Sequence, residues 1–131
     1  MKLNCAFPKR KKLTHQRRFD ILFKKGNREF HYPILAFWSY VTIDEQVSFQ
    51  AGFSVPKKHF KKASDRNQVK RWLREAFRTE SKNLETALIE KNMQIALIFI
   101  TVKNDNISFD IIKPKIKLLL SEITEQVLNA Q

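Results

Sequence analysis

Residues 57–78 read KKHFKKASDRNQVKRWLREAFR. Nine positions are Lys or Arg and two are acidic, Asp65 and Glu75. From Ser64 onward the pattern is helical, because Val69, Trp72, Leu73, Ala76 and Phe77 recur at the three- and four-residue spacing of one helix face. At about 100° per residue, Arg66, Asn67, Lys70, Arg71, Arg74 and Arg78 fill the adjoining arc. Ser64 or Asp65 can cap the start by accepting hydrogen bonds from the first free backbone N–H groups. The stretch therefore predicts a helix that buries one face and presents a row of cations on its neighbour. Like charges four residues apart each cost about 0.2–0.5 kcal/mol. A merely solvated face would normally alternate acids with bases, and here the acids are nearly missing. Arg, whose planar fork matches phosphate oxygens, dominates the helix. The spacing points to a polyanionic partner, and nucleic acid is the commonest one.

Upstream, Val47, Phe49, Ala51, Phe53 and Val55 alternate with Ser48, Gln50, Gly52 and Ser54, the pattern of a strand with one buried and one polar face. Residues 30–43, FHYPILAFWSYVTI, are rich in aromatic and β-branched side chains and predict a strand beginning near Pro33. With Asp44-Glu45 as the turn, the two are expected to pair as an antiparallel hairpin. The Ser/Gln/Gly face suggests an open sheet surface that an extended ligand could cross. Thr14 opens a short helix to about Lys25, with Phe19, Leu22 and Phe23 on one stripe and Gly26 as its stop. Residues 1–12 are basic and aperiodic, and are expected to form a partly mobile arm.

Downstream, residues 81–92 extend the central helix or form a second short one, with Leu84, Ala87 and Leu88 inward. Residues 94–102, QIALIFITV, are nearly continuously apolar, as in a strand covered on both faces. Strand, helix, strand in this order makes a parallel crossover. The last helix carries Ile116, Leu119, Leu120, Ile123 and Val127 at helical spacing. Its start is open: Ser108 can cap it, which places Pro114 inside, or Pro114 is itself the first helical residue.

With 131 residues and 43% hydrophobic content, a single domain with one core is expected. The formal charge of +12 is uneven: residues 2–28 and 57–78 are strongly basic, and the remainder is mildly acidic. Two basic blocks on an acidic body imply a localised binding face. The only glycines, Gly26 and Gly52, leave no Gly-rich phosphate loop. The single Cys5 excludes an internal disulfide and fits a reducing, cytoplasmic setting. The first residues lack the apolar run of a signal peptide, and the longest apolar run, 95–102, is far too short to cross a membrane. No membrane partner and no small-molecule substrate are expected.

Arg66-Asn67-Gln68-Val69-Lys70-Arg71-Trp72-Leu73-Arg74-Glu75 resembles the R-N-R-x-K-R-x-x-R-E signature of the bacterial ribonuclease P protein subunit. Gly52-Phe53-Ser54-Val55-Pro56-Lys57-Lys58 resembles the G-x-S-V-x-K-K strand end of the same family, and Leu13…Phe19…Phe23-Lys24-Lys25-Gly26 resembles its first helix. One position departs: Gln68 stands where the signature has its second Arg. The resemblance spans residues 8–128. It implies an α+β, two-layer sandwich in the order helix–strand–strand–helix–strand–helix, with or without one more short strand. That fold is ribosomal protein S5 domain 2-like, with a left-handed crossover. It implies that Lys57, Lys58, Arg66, Asn67, Lys70, Arg71 and Arg74 face the catalytic RNA. Phe19, Phe23, Phe37 and Ser54 are then expected to line a groove for the 5′ leader of precursor tRNA. It further implies that the RNA subunit, with Mg2+, performs the hydrolysis, so that the protein, a monomer in a 1:1 complex, has no active centre of its own.

The residues agree with a binder. His15, His31 and His59 are scattered, and the acids show no pairing of the kind a two-metal nuclease needs. The rival readings are a ribosomal-type RNA-binding protein or RNA chaperone, a DNA-binding regulator and a stand-alone nuclease. The DNA reading needs a helix-turn-helix pair, yet a strand and a Lys-rich loop precede the basic helix.

Overall fold

The computed structural model describes residues 25–44, 46–103 and 106–130. Phe19, Phe23, the first expected helix and the basic arm lie outside the described residues. Seven elements follow in order: β1 (Asn27–His31), β2 (Ile34–Tyr40), β3 (Phe49–Ser54), α1 (Ala63–Glu80), α2 (Lys82–Lys91), β4 (Ile95–Thr101) and α3 (Phe109–Leu128). The strands form one sheet in the order β1-β2-β4-β3. β1–β2 and β2–β4 are antiparallel, and β3–β4 is parallel.

One expectation about the strands is refined and one is corrected. The strand expected to begin near Pro33 is β2, which starts at Ile34, and the further short strand that the sequence left open is β1; Tyr32–Pro33, joined by a cis peptide bond, turns the chain between them. The hairpin is therefore β1–β2, and β2 and β3 do not pair, because β4 lies between them. The reason is the composition of β4. Ile95 to Phe99 are all buried, so this strand is covered on both faces, and with no polar edge to offer water it takes a neighbour on each side. The parallel β3–α1–α2–β4 connection agrees with the sequence reading.

The core lies between the sheet and the helices. Ile34, Ala36 and Trp38 from β2, Phe49 and Ala51 from β3, and Ile95, Leu97 and Phe99 from β4 face the buried stripes of all three helices. Those stripes are Val69, Leu73, Ala76 and Phe77 in α1, Leu84, Ala87 and Leu88 in α2, and Ile112, Ile116, Leu119, Leu120, Ile123 and Val127 in α3. Trp72, at the margin of the α1 stripe, is half-buried against the same core. On the opposite face of the sheet, Ala96 and Ile98 are buried with Phe37, Val41 and Ile100 beside them.

The helix ends refine the sequence reading. α1 begins at Ala63 with Lys62 at the cap position, and no side chain caps it. Ser64 and Asp65 therefore sit inside the first turn, where the Asp65 carboxylate still meets the positive end of the helix dipole. α2 is a separate helix, closed by Asn92 in the left-handed conformation, φ 55°. α3 starts after Ser108, whose carbonyl accepts from the Ile111 and Ile112 N–H groups, so Pro114 lies within the helix. Between β2 and β3 the Gln94 side chain acts as a clasp. It accepts from the Ile43 N–H at 2.9 Å and donates to the Val47 carbonyl at 2.8 Å, holding the connecting loop to the start of β4.

Candidate nucleic-acid interface

The position of the basic helix is set from its inner side. Phe77 is fully buried with Phe49, Phe53 and Phe99 around it, ring centroids 5.2–5.8 Å away. Such aromatic contacts add about 0.5–1.5 kcal/mol per pair beyond burial. With that ring locked in the sheet, α1 cannot rotate about its axis. The arc carrying Arg66, Asn67, Lys70, Arg71 and Arg74 must face away from the core, and none of these residues is buried.

Their hydrogen bonds divide them. The Arg66 Nη1 donates to the carbonyls of Phe60 and Lys61, at 2.8 and 3.0 Å, tying the helix to the Lys-rich connection before it. The Arg71 Nη1 donates to Gln68 Oε1 at 3.2 Å, so the residue that departs from the family signature orients a signature arginine. Arg78 is neutralised by Glu75, to which both Nε and Nη2 donate. Among the described residues Lys57, Lys58, Lys70 and Arg74 have no side-chain partner, and no carboxylate pairs with any of the seven residues expected to face RNA. Lys57 and Lys58 lie exposed in a turn closed by the His59 N–H donating to Pro56 O at 3.0 Å. Lys70 and Arg74, one helical turn apart, repel each other by about 0.2–0.5 kcal/mol. A polyanion removes that repulsion.

A second surface lies on the face of the sheet turned away from the helices. The strand register sets Arg28, Phe37, Ile98 and Gly52 in one row across all four strands, and Phe30, Leu35, Ile100 and Ser54 in the next. Phe37 and Ser54, both half-exposed, thus share this face, while Trp38 points the other way into the core. The Arg28 guanidinium sits 5.7 Å from the Phe37 ring centroid, a cation–π contact. The expected polar character of this face holds only in part, since Ser48 and Gln50 are buried at its margin.

Sequence reasoning missed two features here. Arg28 beside Phe37 depends on the β1–β2 register, which periodicity does not reveal. A cleft of about 390 Å³ at the start of α1 is lined by His59, Phe60, Lys61, Lys62, Gln68 and Trp72 among others. Its signal was the interleaving of aromatic and basic residues in 57–72. Among the described residues no three His, Cys, Asp or Glu side chains converge to hold a metal ion, and no helix is long and apolar enough to cross a membrane.

The ribonuclease P family model matches residues 7–124. The ribonuclease P protein of Staphylococcus aureus superposes with a TM-score of 0.70 at 21% identity, covering 91% of this chain and 98% of that one. A mutant of the S. aureus protein with defective mRNA degradation activity gives 0.68 at 19% identity, covering 86% and 87%. The Thermotoga maritima protein gives 0.67 at 22% identity, covering 85% and 96%. No curated protein sequence matches the chain. At these identities the structures establish the fold, a mixed α/β sheet-and-helix layer shared along nearly the full length of both chains. Membership follows from the family model, which spans most of the first basic block, all of the second and the whole sheet: the chain belongs to the bacterial ribonuclease P protein family, the protein component of the ribonuclease P holoenzyme.

Proposed function

We propose that this protein binds the catalytic RNA of ribonuclease P through α1 and the turn before it, using Lys57, Lys58, Arg66, Asn67, Lys70, Arg71 and Arg74. On the sheet face, Phe37 and Ser54, with Phe19 and Phe23 of the first basic block, take the 5′ leader of precursor tRNA. The hydrolysis that removes the leader belongs to the RNA and its Mg2+, and the protein works in the cytoplasm as a single copy per RNA. One observation carries the reading: among the described residues, Lys70 and Arg74, on the outer side of a helix whose inner side is locked by Phe77, and Lys57 and Lys58, in the turn before it, stand without a neutralising partner.

The physical contribution follows from charge. Each phosphate neutralised releases condensed counterions, so binding strengthens at low salt and weakens steeply as salt rises. A compact cationic body between two large polyanions lowers their repulsion and reduces the magnesium needed to bring them together. An aromatic ring on the leader path adds about 1–3 kcal/mol per stacked base without demanding a sequence.

Reconstitution tests this. The protein is mixed with ribonuclease P RNA and labelled precursor tRNA at low magnesium. Cleavage at the leader junction is expected only when protein and RNA are both present. If the protein leaves RNA-only cleavage unchanged while still binding RNA, the chain acts instead as an RNA-binding protein of the ribosomal or chaperone type.

A further inference from the structure

We infer that the tip of the β1–β2 hairpin, with Phe30 and Tyr32, is a second stacking platform for single-stranded RNA. It would receive bases of the leader that lie beyond those reaching Phe37. This rests on the leader reading of the sheet face given above.

Phe30 and Tyr32 are among the most exposed large apolar side chains described, at 52% and 53%. Strand periodicity explains which way β1 faces. Glu29 and His31 turn to the helix layer, where Gln126 Nε2 donates to Glu29 at 3.0 Å and His31 Nε2 lies 2.8 Å from Glu122. Arg28 and Phe30 therefore point to the opposite face, the one that holds Phe37 and Ser54. Phe30 ends the row that begins with Ser54, three strand spacings away, or about 14 Å. Phe37 lies diagonally between them across one strand pair, within about 7–8 Å of Phe30. An extended strand that enters at Ser54 and passes Phe37 leaves the sheet over Phe30.

The tip is held rigid. The Val102 N–H donates to Pro33 O at 2.9 Å, and the Tyr32 hydroxyl donates to Lys103 O at 2.9 Å. The two rings meet edge to face, centroids 6.4 Å apart. A ring already immobilised loses little freedom when a base stacks on it. Edge strands normally blunt themselves with charge. Here the edge keeps aromatic rings and adds exposed Arg28 and Lys103 for the phosphates between the bases, the interleaving that suits single-stranded RNA. A protein partner would also fit exposed rings, and the experiment tells the two apart.

Holoenzyme carrying Phe30→Ala and Tyr32→Ala is titrated with precursor tRNAs whose leaders grow one nucleotide at a time. Wild type is expected to gain affinity at the length where a base reaches the tip. The double variant loses that gain, about tenfold, and keeps its affinity for shorter leaders and for the RNA subunit. Phe30→Trp restores the gain. A 2-aminopurine at the tip-reaching position is quenched by wild type and not by the double variant. Equal affinity of wild type and variant at every leader length, equal loss at every length, or unquenched 2-aminopurine in wild type overturns the inference and leaves the tip to a protein partner. Wild-type holoenzyme that does not distinguish leader-bearing from leaderless tRNA overturns the parent reading of Phe37 as well, so the two failures are distinct.

Discussion

α1 and α3 lie side by side on the same core, each through an apolar stripe, and they differ on the side turned from it. α3 carries Lys113, Lys115 and Lys117 against Asp110, Glu122 and Glu125, as many bases as acids. Some of its polar groups are engaged inside the molecule: Glu122 with His31, Gln126 with Glu29, and Lys113 over the Phe109 ring at 6.0 Å. α1 carries five bases and three acids, follows a Lys-rich turn, and among the described residues pairs only its last cation, Arg78, with a carboxylate. Burial is the same kind of stabilisation in both helices. What separates them is the balance of the outer charges, even in α3 and in cationic excess in α1 and the turn before it.

That contrast can be broken or sharpened by experiment. The largest expected effect is shared by the two inner faces. Leu73→Ala in α1 and Ile116→Ala in α3, both at fully buried positions, should each lower stability by about 3–4 kcal/mol. Urea unfolding with an unchanged slope measures this. A cost for Leu73→Ala far below that of Ile116→Ala would show that α1 is not anchored as described. Next come the outer faces. Lys70→Ala with Arg71→Ala and Arg74→Ala should weaken binding to the RNA subunit by about 3 kcal/mol and reduce the log–log salt slope by about 3. The matching Lys113→Ala, Lys115→Ala, Lys117→Ala variant should change either little. Equal losses would mean that net charge alone, and no particular face, attracts the RNA. The smallest effect is expected at the ion pairs. Glu75→Gln removes the carboxylate beside Arg78 and should tighten RNA binding by about 0.5 kcal/mol, whereas Glu122→Gln in α3 should leave it unchanged. Filter binding at fixed salt resolves the difference, and tightening by both would erase the distinction.

The helical stripes and the β3 alternation were legible because each is a local period imposed by burial on one side. Phe77, Leu73 and Val69 read as inward from spacing alone, and they are. Pairing was less legible. Which strand sits beside which depends on contacts across half the chain, so β2 and β3 looked like a hairpin until β4 took the place between them. β1 was not placed by the sequence because Asn27, Arg28 and Glu29 have the composition of a loop, and three of its five residues are exposed. At the site, the arc of cations was visible, but the partner of each was not. Arg66 reaching back to Phe60 and Lys61, and Arg71 to Gln68, follow from side-chain geometry that spacing does not encode. Gln68 illustrates the point: by sequence it is one cation fewer, and in the structure it steers another.

The central place of β4 has a consequence for how the interface comes into being. Two of the three strand ladders run through Ile95–Thr101, a segment that follows α1 and α2 in the chain. A polypeptide ending before Ile95 holds every lysine and arginine of the basic helix, yet retains only the β1–β2 ladder, and a lone two-stranded hairpin is marginal in water. Phe99, one wall of the Phe77 socket, would be missing too. The cations are thus translated long before there is a scaffold to aim them, and the protein becomes able to present them to RNA only once its final third has been made.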